Sequence, residues 1–526
     1  MYVNPNSDVY LLQNVRLTPT LEHTIYFPSL AAQTAYFTSK KAFEFKKLSY
    51  IVPENGVLNV KAVADTLYNC PYLMFKNSAF GSKWFYAFVN SVDYLANGTA
   101  EIRFTIDPIQ TWYFDVRHGA GFLERQHSLT DAVGDNRVPE NLDIGDYRLT
   151  SAWRPAEGIS PAIYVATTAD VDADGAVYNV QGGKVGGVYA GLTIKRFVNT
   201  TSGFNSLNTF IQKLTDANKA DAIVSIYLAP SNYYNANAPT DAVSQTVTVN
   251  RKLDAISGYT PKNRKLFSDP YNVLIVSDET GANKIYNYDD FAGAPLAEFM
   301  FRASVAPPAG CILIPQNYRG TGVLGQSRDE SFSTTNSAQL AYNIDTFRAW
   351  LAQNGQGVPA ILNGALTVAA GGASLFGGLA TGNLVGGTMG AANAVSSLIG
   401  QISDISAKSK AAPSVQGSQS PTLQYISASS GVGISFAQIR ADNARIIDDY
   451  FTRYGYAVRR VETPVLNARE NFTYIKMQSP CITGHCPQDV LTAYHNAFMQ
   501  GITYWMDGDK IGDYSVSNRP WNEVNA

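Results

Sequence analysis

Between Ala349 and Ser403 the chain runs for 55 residues without a charged side chain, and 12 of these residues are glycine. Charged residues make up 16% of the chain as a whole, so this segment stands apart from the rest. An apolar stretch of this length cannot stay exposed on a monomer in water, because large exposed apolar patches associate. The segment must therefore be sheltered in an assembly, held inside the fold, or delivered into lipid.

The segment is long enough to cross a membrane twice. A spanning helix needs about 20 apolar residues, and Val358–Ser403 could supply two such arms, interrupted by polar residues near Thr381–Asn383. Alanine, glycine, serine and threonine outnumber the large aliphatic residues, so the stretch is too weakly hydrophobic for a permanent anchor. We therefore expect a conditional, membrane-active hairpin.

Glycine spacing supports this interpretation. Gly378, Gly382, Gly386 and Gly390 recur every four residues, which places them on one face of a helix and would allow close helix–helix approach in lipid. The alternative is a flexible glycine-rich loop, or a helix packed in the core of a soluble protein. The run is longer than structureless loops in compact domains usually are, which favours the hairpin. The residues predicted to contact the membrane are Val358, Ile361, Leu362, Leu366, Leu375, Phe376, Gly378, Leu379, Gly382, Leu384, Val385, Gly386, Met389, Gly390, Val395, Leu398, Ile399 and Ile402.

Composition favours a mainly β protein of about three domains. The 526 residues include 31 Tyr, 25 Phe and 42 Gly, and the net charge is −3. Basic residues are scattered, so the sequence offers no stripe for tight binding of nucleic acid. The four cysteines do not form a secreted disulfide framework, and the N-terminal residues lack a basic region followed by an apolar one. We expect synthesis in a reducing cytoplasm without a signal peptide.

The first 120 residues carry the clearest strand signals. Asn97-Gly98 lies between two strand-like runs and predicts a two-residue hairpin turn. After the turn, Ile102, Phe104 and Ile106 alternate with polar residues, so one face of that strand should be buried. Before it, residues 83–89 are apolar on both faces. That strand should be covered twice, by its own core and by another element such as a neighbouring subunit.

Further along the chain, the runs AIYVATT, AIVSIYLA, NVLIVSD and GCILIPQ predict strands, as do YISASSGVGISFAQI, YGYAVRRVETP and NFTYIKM. Helices are predicted near Phe204–Lys219, at 336–354 and around Asp442–Tyr454. We divide the chain into an N-terminal β domain (1–149), a mixed second domain or insertion (150–335), a helix with the uncharged loop and a flanking helix (336–421), and a closing β segment (422–526).

Two groups of residues could suggest a metal site, and neither fits well. Asp170, Asp172, Asp174 and Gly175 match the start of a calcium loop, but Gln181 stands where a bidentate carboxylate is needed, so an acidic surface turn is the better interpretation. Cys481, His485 and Cys486, with His495 nearby in sequence, do not match a recognised zinc spacing.

Signatures of hydrolytic catalysis are missing as well. The sequence contains no G-x-S-x-G, H-E-x-x-H or P-loop motif. We therefore expect neither an enzyme nor a cofactor.

Several longer motifs resemble one family. YLMFKNSAFGSKWFYAFV, the hairpin after it, FTIDPIQTWYF and FLERQH resemble the N-terminal block of the distal tail-tube (tail knob) proteins of small short-tailed bacteriophages of Gram-positive hosts. YFTRYGYAVRRVETP and GITYWMDGDKIGDYSVSN resemble the C-terminal blocks of that family. The uncharged segment lies where the family has a long hydrophobic loop, so the resemblance is collinear over most of the chain.

The resemblance implies a virion protein that forms a homohexamer, a hollow tail tube built from β-barrel-like subdomains. Phage DNA would pass through the lumen, other phage tail proteins would bind the tube, and six hydrophobic loops would plug it. On infection the loops would enter the host plasma membrane and form a channel. Two alternatives stay open at this point: a receptor-binding or adhesion protein of the tail tip, and a cell-wall-degrading tail enzyme.

Overall fold

The computed structural model describes residues 6–48, 56–81, 83–154, 161–185, 188–189, 191–198, 200–235, 243–278, 281–292, 296–306, 308–320, 326–335, 337–340 and 432–524. The uncharged segment and most of the helix predicted at 336–354 lie outside these residues.

The described part of the chain is mainly β, as predicted. Its strands are β1 (Ser7–Leu12), β2 (His23–Ile25), β3 (Lys41–Leu48), β4 (Val57–Val60), β5 (Tyr72–Asn77), β6 (Trp84–Ala96), β7 (Thr99–Ile106), β8 (Val116–Gln126), β9 (Tyr147–Trp153), β10 (Pro161–Thr167), β11 (Ala169–Val171), β12 (Val177–Asn179), β13 (Lys184–Val185), β14 (Val188–Tyr189), β15 (Thr193–Phe197), β16 (Ile223–Pro230), β17 (Val243–Asn250), β18 (Asn272–Ser277), β19 (Asn283–Tyr286), β20 (Leu296–Ser304), β21 (Gly310–Pro315), β22 (Phe332–Thr335), β23 (Ala338–Leu340), β24 (Gly433–Ile439), β25 (Tyr456–Glu462), β26 (Phe472–Gly484) and β27 (Ile502–Trp505). Its α-helices are α1 (Leu30–Ser39), α2 (Pro108–Thr111), α3 (Thr201–Asp216), α4 (Ala441–Tyr454), α5 (Gln488–Gln500) and α6 (Trp521–Val524).

The chain forms two compact units, each assembled from segments that are distant in sequence. Unit 1 comprises Met1–Asp146, Asp254–Ser268 and Ile439–Ala526, and unit 2 comprises Tyr147–Leu253 and Asp269–Gln438. The division of the sequence into four consecutive segments stays a prediction.

Unit 1 contains a six-stranded sheet in the order β3-β1-β5-β6-β7-β4. All six strands send side chains into a single apolar cluster. The contributing residues are Phe43, Phe45 and Leu48 from β3, Val9 and Leu11 from β1, Leu73 and Phe75 from β5, Phe85 and Ala87 from β6, Ala100, Ile102 and Phe104 from β7, and Leu58 and Val60 from β4.

The opposite face of the same sheet is buried as well. Tyr72, Tyr86 and Phe88 alternate with the inward residues and pack in a second cluster with Phe37 of α1 and Trp505 of β27. The predicted double cover of the strand at 83–89 is therefore confirmed. Its second cover is supplied by the same chain rather than by a neighbouring subunit, because α1 and the five-stranded sheet β2-β27-β26-β8-β25 lie against that face.

The predicted hairpin between β6 and β7 is also confirmed. Ala96 pairs with Thr99 across the Asn97-Gly98 turn, and Gly98 has φ 76°, a left-handed conformation that glycine adopts without steric cost. Ile102 and Phe104 are buried and Arg103 is exposed, as the alternation predicted, whereas Ile106 is half-buried.

Unit 2 holds three four-stranded sheets, in the orders β15-β10-β16-β23, β17-β20-β21-β22 and β19-β18-β24-β9. A large cluster of buried side chains unites them, including Tyr164, Tyr227, Phe299 and Ile434. Strands form in each of the five runs predicted here, as β10, β16, β18, β21 and β24, although the part of YISASSGVGISFAQI before Val432 lies outside the described residues.

Two of the three predicted helices are confirmed, and the third is wrong at the residues that the structure describes. Helix α3 confirms the amphipathic helix near Phe204–Lys219, because Leu207, Phe210 and Leu214 lie on one buried face. Helix α4 likewise confirms the helix around Asp442–Tyr454. The prediction at 336–354 is wrong for Ala338–Leu340, which form strand β23. Backbone pairing with β16 there overrides a helical spacing that began at Leu340.

A buried carboxylate joins two distant parts of unit 1. Asp448 of α4 is fully buried and accepts hydrogen bonds from the Tyr259 hydroxyl (2.7 Å), the Lys262 amide (2.8 Å) and the Asn263 amide (3.0 Å). The side-chain amide of Asn263 donates to the same carboxylate at 2.8 Å. Residues 254–268 interrupt unit 2 in sequence, and Asp448 holds them onto α4 together with Thr452, whose hydroxyl accepts from Asn263 at 2.9 Å.

A group of charged side chains lies beside this contact. Glu140 accepts from Lys265 at 2.8 Å and also pairs with Arg125, and the side chains of Glu140 and Lys265 are each only 2% exposed. Asp131 accepts from the Tyr456 hydroxyl at 2.6 Å and lies 3.9 Å from a nitrogen of Arg469. Burial of these charges is tolerated because each carboxylate has a hydrogen-bond donor or a cationic side chain beside it.

We expect Asp448→Ala to lower the free energy of unfolding of unit 1 by about 3 kcal/mol or more. The substitution removes the acceptor of the buried Asn263 backbone amide and of the half-buried Tyr259 hydroxyl. The Asn263 side chain keeps the Asp448 carbonyl and the Thr452 hydroxyl. Chemical denaturation followed by tyrosine and tryptophan fluorescence measures the change. Asp449→Ala is the matched control, since Asp449 is the next residue of α4 and its side chain is 66% exposed. Equal losses in the two variants would contradict the role given to Asp448.

The hydrogen bonds of His127 hold it in the neutral form. Its Nδ1 accepts from the Tyr474 amide at 2.8 Å, and its Nε2 donates to the Thr452 carbonyl at 3.0 Å. Burial lowers the pKa of His127 to about 3, and the nearby charges of Arg469 and Arg125 act in the same direction. A proton on Nδ1 would break the Tyr474 contact and add a cation beside two arginines.

Acidification should therefore destabilise unit 1. The unfolded chain takes up a proton on this histidine near pH 6.5 and the folded chain does not until about pH 3, so stability falls as the pH drops through that window. At pH 5 the loss from His127 is about 2 kcal/mol. Unfolding measured from pH 7.5 to 5 should show a shallower pH dependence for His127→Gln than for the wild type. His485→Gln, at an exposed position, should keep the wild-type dependence, and identical slopes in all three proteins would contradict this account.

Candidate functional site

The predicted membrane-contacting residues, from Val358 to Ile402, all lie outside the described residues. The structure instead describes the points at which the chain leaves for this segment and returns from it. The chain leaves after Leu340 at the end of β23 and is described again from Val432, directly before β24. Both points belong to unit 2.

The two ends are held differently. Strand β23 is the outermost strand of its sheet and pairs with β16 through Leu340–Ile226, Gln339–Tyr227 and Ala338–Leu228. Strand β24 has a neighbour on each side, β18 and β9, and six of its residues pair with β18. Val432 and Ile434 are buried in the main cluster of unit 2. The return end is therefore fixed more strongly than the departure end.

The acidic motif at 170–175 forms a tight hairpin turn between β11 and β12. Asp172 accepts a hydrogen bond from the Ala176 amide at 2.7 Å, and Asp170 forms an ion pair of 2.6 Å with Lys195. Two of the three carboxylates are thus occupied by groups of the protein itself, as in the surface turn that the sequence favoured.

The cysteine–histidine motif lies at the end of β26 and in the loop after it. Cys481 is exposed, Cys486 is half-buried, and both are free thiols. The His485 amide donates to the Asp115 carbonyl at 3.1 Å. Among the residues that the structure describes, no three His, Cys, Asp or Glu side chains are grouped so that they could hold a metal ion.

An open cavity of about 540 Å³ lies on the sheet that contains β20, β21 and β22. It is lined by Arg302, Ala303, Ser304, Ala306, Pro308, Gly310, Cys311, Ile312 and Thr334. Burial raises the pKa of the Cys311 thiol to about 12. A thiol held in its protonated form is a poor nucleophile, so this cavity lacks an activated catalytic group.

Within the described ranges, no helix combines the length and the apolar character that crossing a bilayer requires. Helix α3, for example, buries Leu207 and Phe210 in an apolar cluster of unit 2.

Two family profiles match the chain. Residues 233–519 match the family described as "Bacillus phage phi29, Tail knob protein gp9, C-terminal domain". Residues 5–117 match "Caudoviral major tail protein N-terminus". The two matches cover the motifs quoted from the sequence except FLERQH at Phe122–His127, which lies between them.

Curated relatives match over nearly the full length. The tail knob protein gp9 of Bacillus phage B103 is 24% identical, that of phage PZA 26% and that of phage phi29 25%, and each alignment covers 97% of this chain and 98% of the relative. Among solved structures, the tail knob protein gp12 of bacteriophage C1 superposes with a TM-score of 0.58 at 13% identity, covering 98% of this chain and 100% of that one. At this identity the likeness shows the shared fold.

These matches confirm the resemblance drawn from the sequence motifs. The phi29-type profile alone spans more than half of the chain, and the relatives are structural proteins rather than enzymes. The protein therefore belongs to the tail knob protein family, and it is a structural, non-enzymatic component of a phage tail.

Proposed function

We propose that six copies of this protein form the distal tail tube through which phage DNA is ejected. In this proposal the segment around 357–403 plugs the lumen and then enters the host plasma membrane. The observation that carries the proposal is the 55-residue uncharged segment in a chain of the tail knob family. A tube lumen can shelter an apolar segment that an isolated subunit in water could not tolerate.

The attachment of the segment supports this role. Its ends join β23 and β24, which belong to the sheets of unit 2. The segment can therefore leave the lumen while both of its ends stay anchored to a folded scaffold. Two helical arms, each rising 1.5 Å per residue, would reach across a hydrocarbon core of roughly 30 Å.

The charge of the chain agrees with a conduit for DNA. A net charge of −3 with scattered basic residues gives DNA little to adhere to, so the genome could slide through without being held. Contacts with DNA would be weak and independent of sequence. Other tail proteins would bind the tube at its ends. The protein would contact the host membrane only during entry.

Native mass spectrometry of the purified full-length chain tests the assembly. We expect a species of six copies of the 57.1 kDa chain, because a ring buries apolar segments that a monomer would expose. A strictly monomeric protein at micromolar concentration would argue against the tube.

Dye release from liposomes tests membrane entry. The full chain should release dye, and a variant lacking Val358–Ser403 should not, because the deletion removes both apolar arms. Circular dichroism of the variant should show that the β fold is retained. Equal release by both proteins would place the activity elsewhere in the chain.

Leucine substitutions test whether the glycines pack helices together. Gly382→Leu and Gly386→Leu should reduce dye release strongly, because a large side chain on that face prevents close helix approach. Gly387→Leu is the matched control: it lies next to Gly386 but about 100° around the helix, off the glycine face. Equal effects at Gly386 and Gly387 would remove the packing argument while leaving membrane entry intact.

A further inference from the structure

Among the described residues, the six-stranded sheet of unit 1 ends in β3 on one side and in the four-residue strand β4 on the other, and part of the edge of β6 is also unpaired. Strand β3 is the first strand of the six-stranded sheet and pairs with β1 alone. Strand β6 is longer than its partner β5, which covers only Trp84–Phe88, so β6 beyond that point pairs with β7 alone. Unpaired edges of this kind attract another strand, and proteins usually cover them.

The far end of β6 carries apolar side chains into solvent. Tyr94 is 60% exposed and Leu95 is 54% exposed, although both precede the hairpin turn of a well-ordered strand pair. Tyr68 is 58% exposed, and desolvation together with the charges of Asp65, Tyr94 and Asp93 raises its pKa. A cluster of exposed aromatic and aliphatic side chains at a protruding tip is typical of an interaction surface.

The β3 edge is suited to receive an apolar strand. Phe43, Phe45 and Leu48 are only half-buried, although they pack against the apolar cluster of the six-stranded sheet. An added strand would complete their cover. It would also satisfy the free backbone groups along Lys41–Leu48, as strand addition does in other complexes.

The two surfaces carry charges of opposite sign. Strand β3 has Lys41, Lys46 and Lys47 against a single acid, Glu44. At the β6–β7 tip, Asp93 and Glu101 share one cation, Arg103, and Asp65 lies nearby. Two β3 edges placed together would set lysines against lysines, which is unfavourable. Charge therefore favours pairing of unlike edges.

We propose that the far half of β6 in one copy of this chain adds as a strand to the β3 edge of the next copy. The contact joins two different surfaces of the same protein, so it is heterologous, and repeating it generates a closed ring when the rotation closes. This inference rests on the proposed tube and specifies which surfaces build it. The exposed Tyr94 and Leu95 become buried in the assembly, and the lysines of β3 meet the acids of the hairpin.

Cross-linking of the full-length chain tests the contact. The double variant Leu95→Cys with Lys46→Cys is made in a Cys481→Ser, Cys486→Ser background, because Cys481 is exposed and Cys486 half-buried. A short bis-maleimide reagent tolerates a shift of a residue or two in strand register. The control pairs Leu95→Cys with Asp442→Cys, whose native carboxylate is 88% exposed on α4 of the same unit.

We expect the Leu95/Lys46 pair to give a ladder of covalent oligomers up to six subunits on a denaturing gel, and the control pair to give none. Assembly of the wild type seen by native mass spectrometry, without a ladder from the Leu95/Lys46 pair, would overturn this contact and leave the tube intact. A ladder of equal strength from the control pair would mean random collision and would also overturn the contact. A wild type that never assembles would remove the ring and the contact together.

Charge reversal gives an independent readout. Asp93→Lys or Lys46→Glu alone should lower the assembled fraction at fixed protein concentration, because each places like charges on the two surfaces. The two changes in one chain should restore assembly, because the surfaces again carry opposite charges, with the positions of the cation and the anion exchanged. Failure of the double variant to recover, with melting temperatures of all variants unchanged, would contradict the pairing of these two surfaces.

Discussion

The carboxylate of Asp448 is the interaction on which the arrangement of unit 1 most depends. It accepts hydrogen bonds from Tyr259, Lys262 and Asn263. These residues belong to Asp254–Ser268, a short segment of unit 1 that lies in sequence between the two segments of unit 2. The side-chain amide of Asn263 also donates to the Thr452 hydroxyl at 2.9 Å, so Asp448 shares this role with a second residue of α4. Because buried donors must be satisfied, these two residues of α4 hold a segment that is nearly 200 positions away in sequence.

The second constraint is the six-stranded sheet with two buried faces. Its inner face packs in one cluster and its outer face is covered by α1 and the five-stranded sheet of the same chain. The chain thus covers both faces of its most apolar strand. Among the described residues, the sheet leaves unpaired the outer edges of β3 and β4 and part of the far half of β6, next to the exposed side chains at the hairpin tip. A subunit that completes its core and leaves complementary edges open is suited to assembly.

This tail component combines a folded scaffold with an uncharged segment of 55 residues that could not stay exposed to water. The strands on either side of that segment are paired to different extents. Before it, β23 is an outermost strand of three residues, and after it, β24 has a neighbouring strand on each side. Edge pairing over so few residues contributes little stability compared with the buried residues around Ile434. In the proposed tube, movement of the segment would therefore begin at β23.

The sequence by itself determined the elements whose signals are local. The β6–β7 hairpin follows from Asn97-Gly98 and the flanking alternation, α3 from its amphipathic spacing, and the special character of 349–403 from the lack of charge. Family membership also followed from contiguous motifs. The placement of the candidate membrane residues, outside the described ranges, stays a prediction.

Only the tertiary structure decided which partners complete these elements. No spacing in the sequence reveals that Asp448 binds Asn263, or that Trp505 rather than a neighbouring subunit covers the outer face of β6. The same limit explains Leu340, whose helical spacing gave way to pairing with Ile226. A local sequence pattern indicates whether a residue needs a buried or an exposed environment. Which distant residue provides that environment depends on how the segments pack against each other in the folded chain.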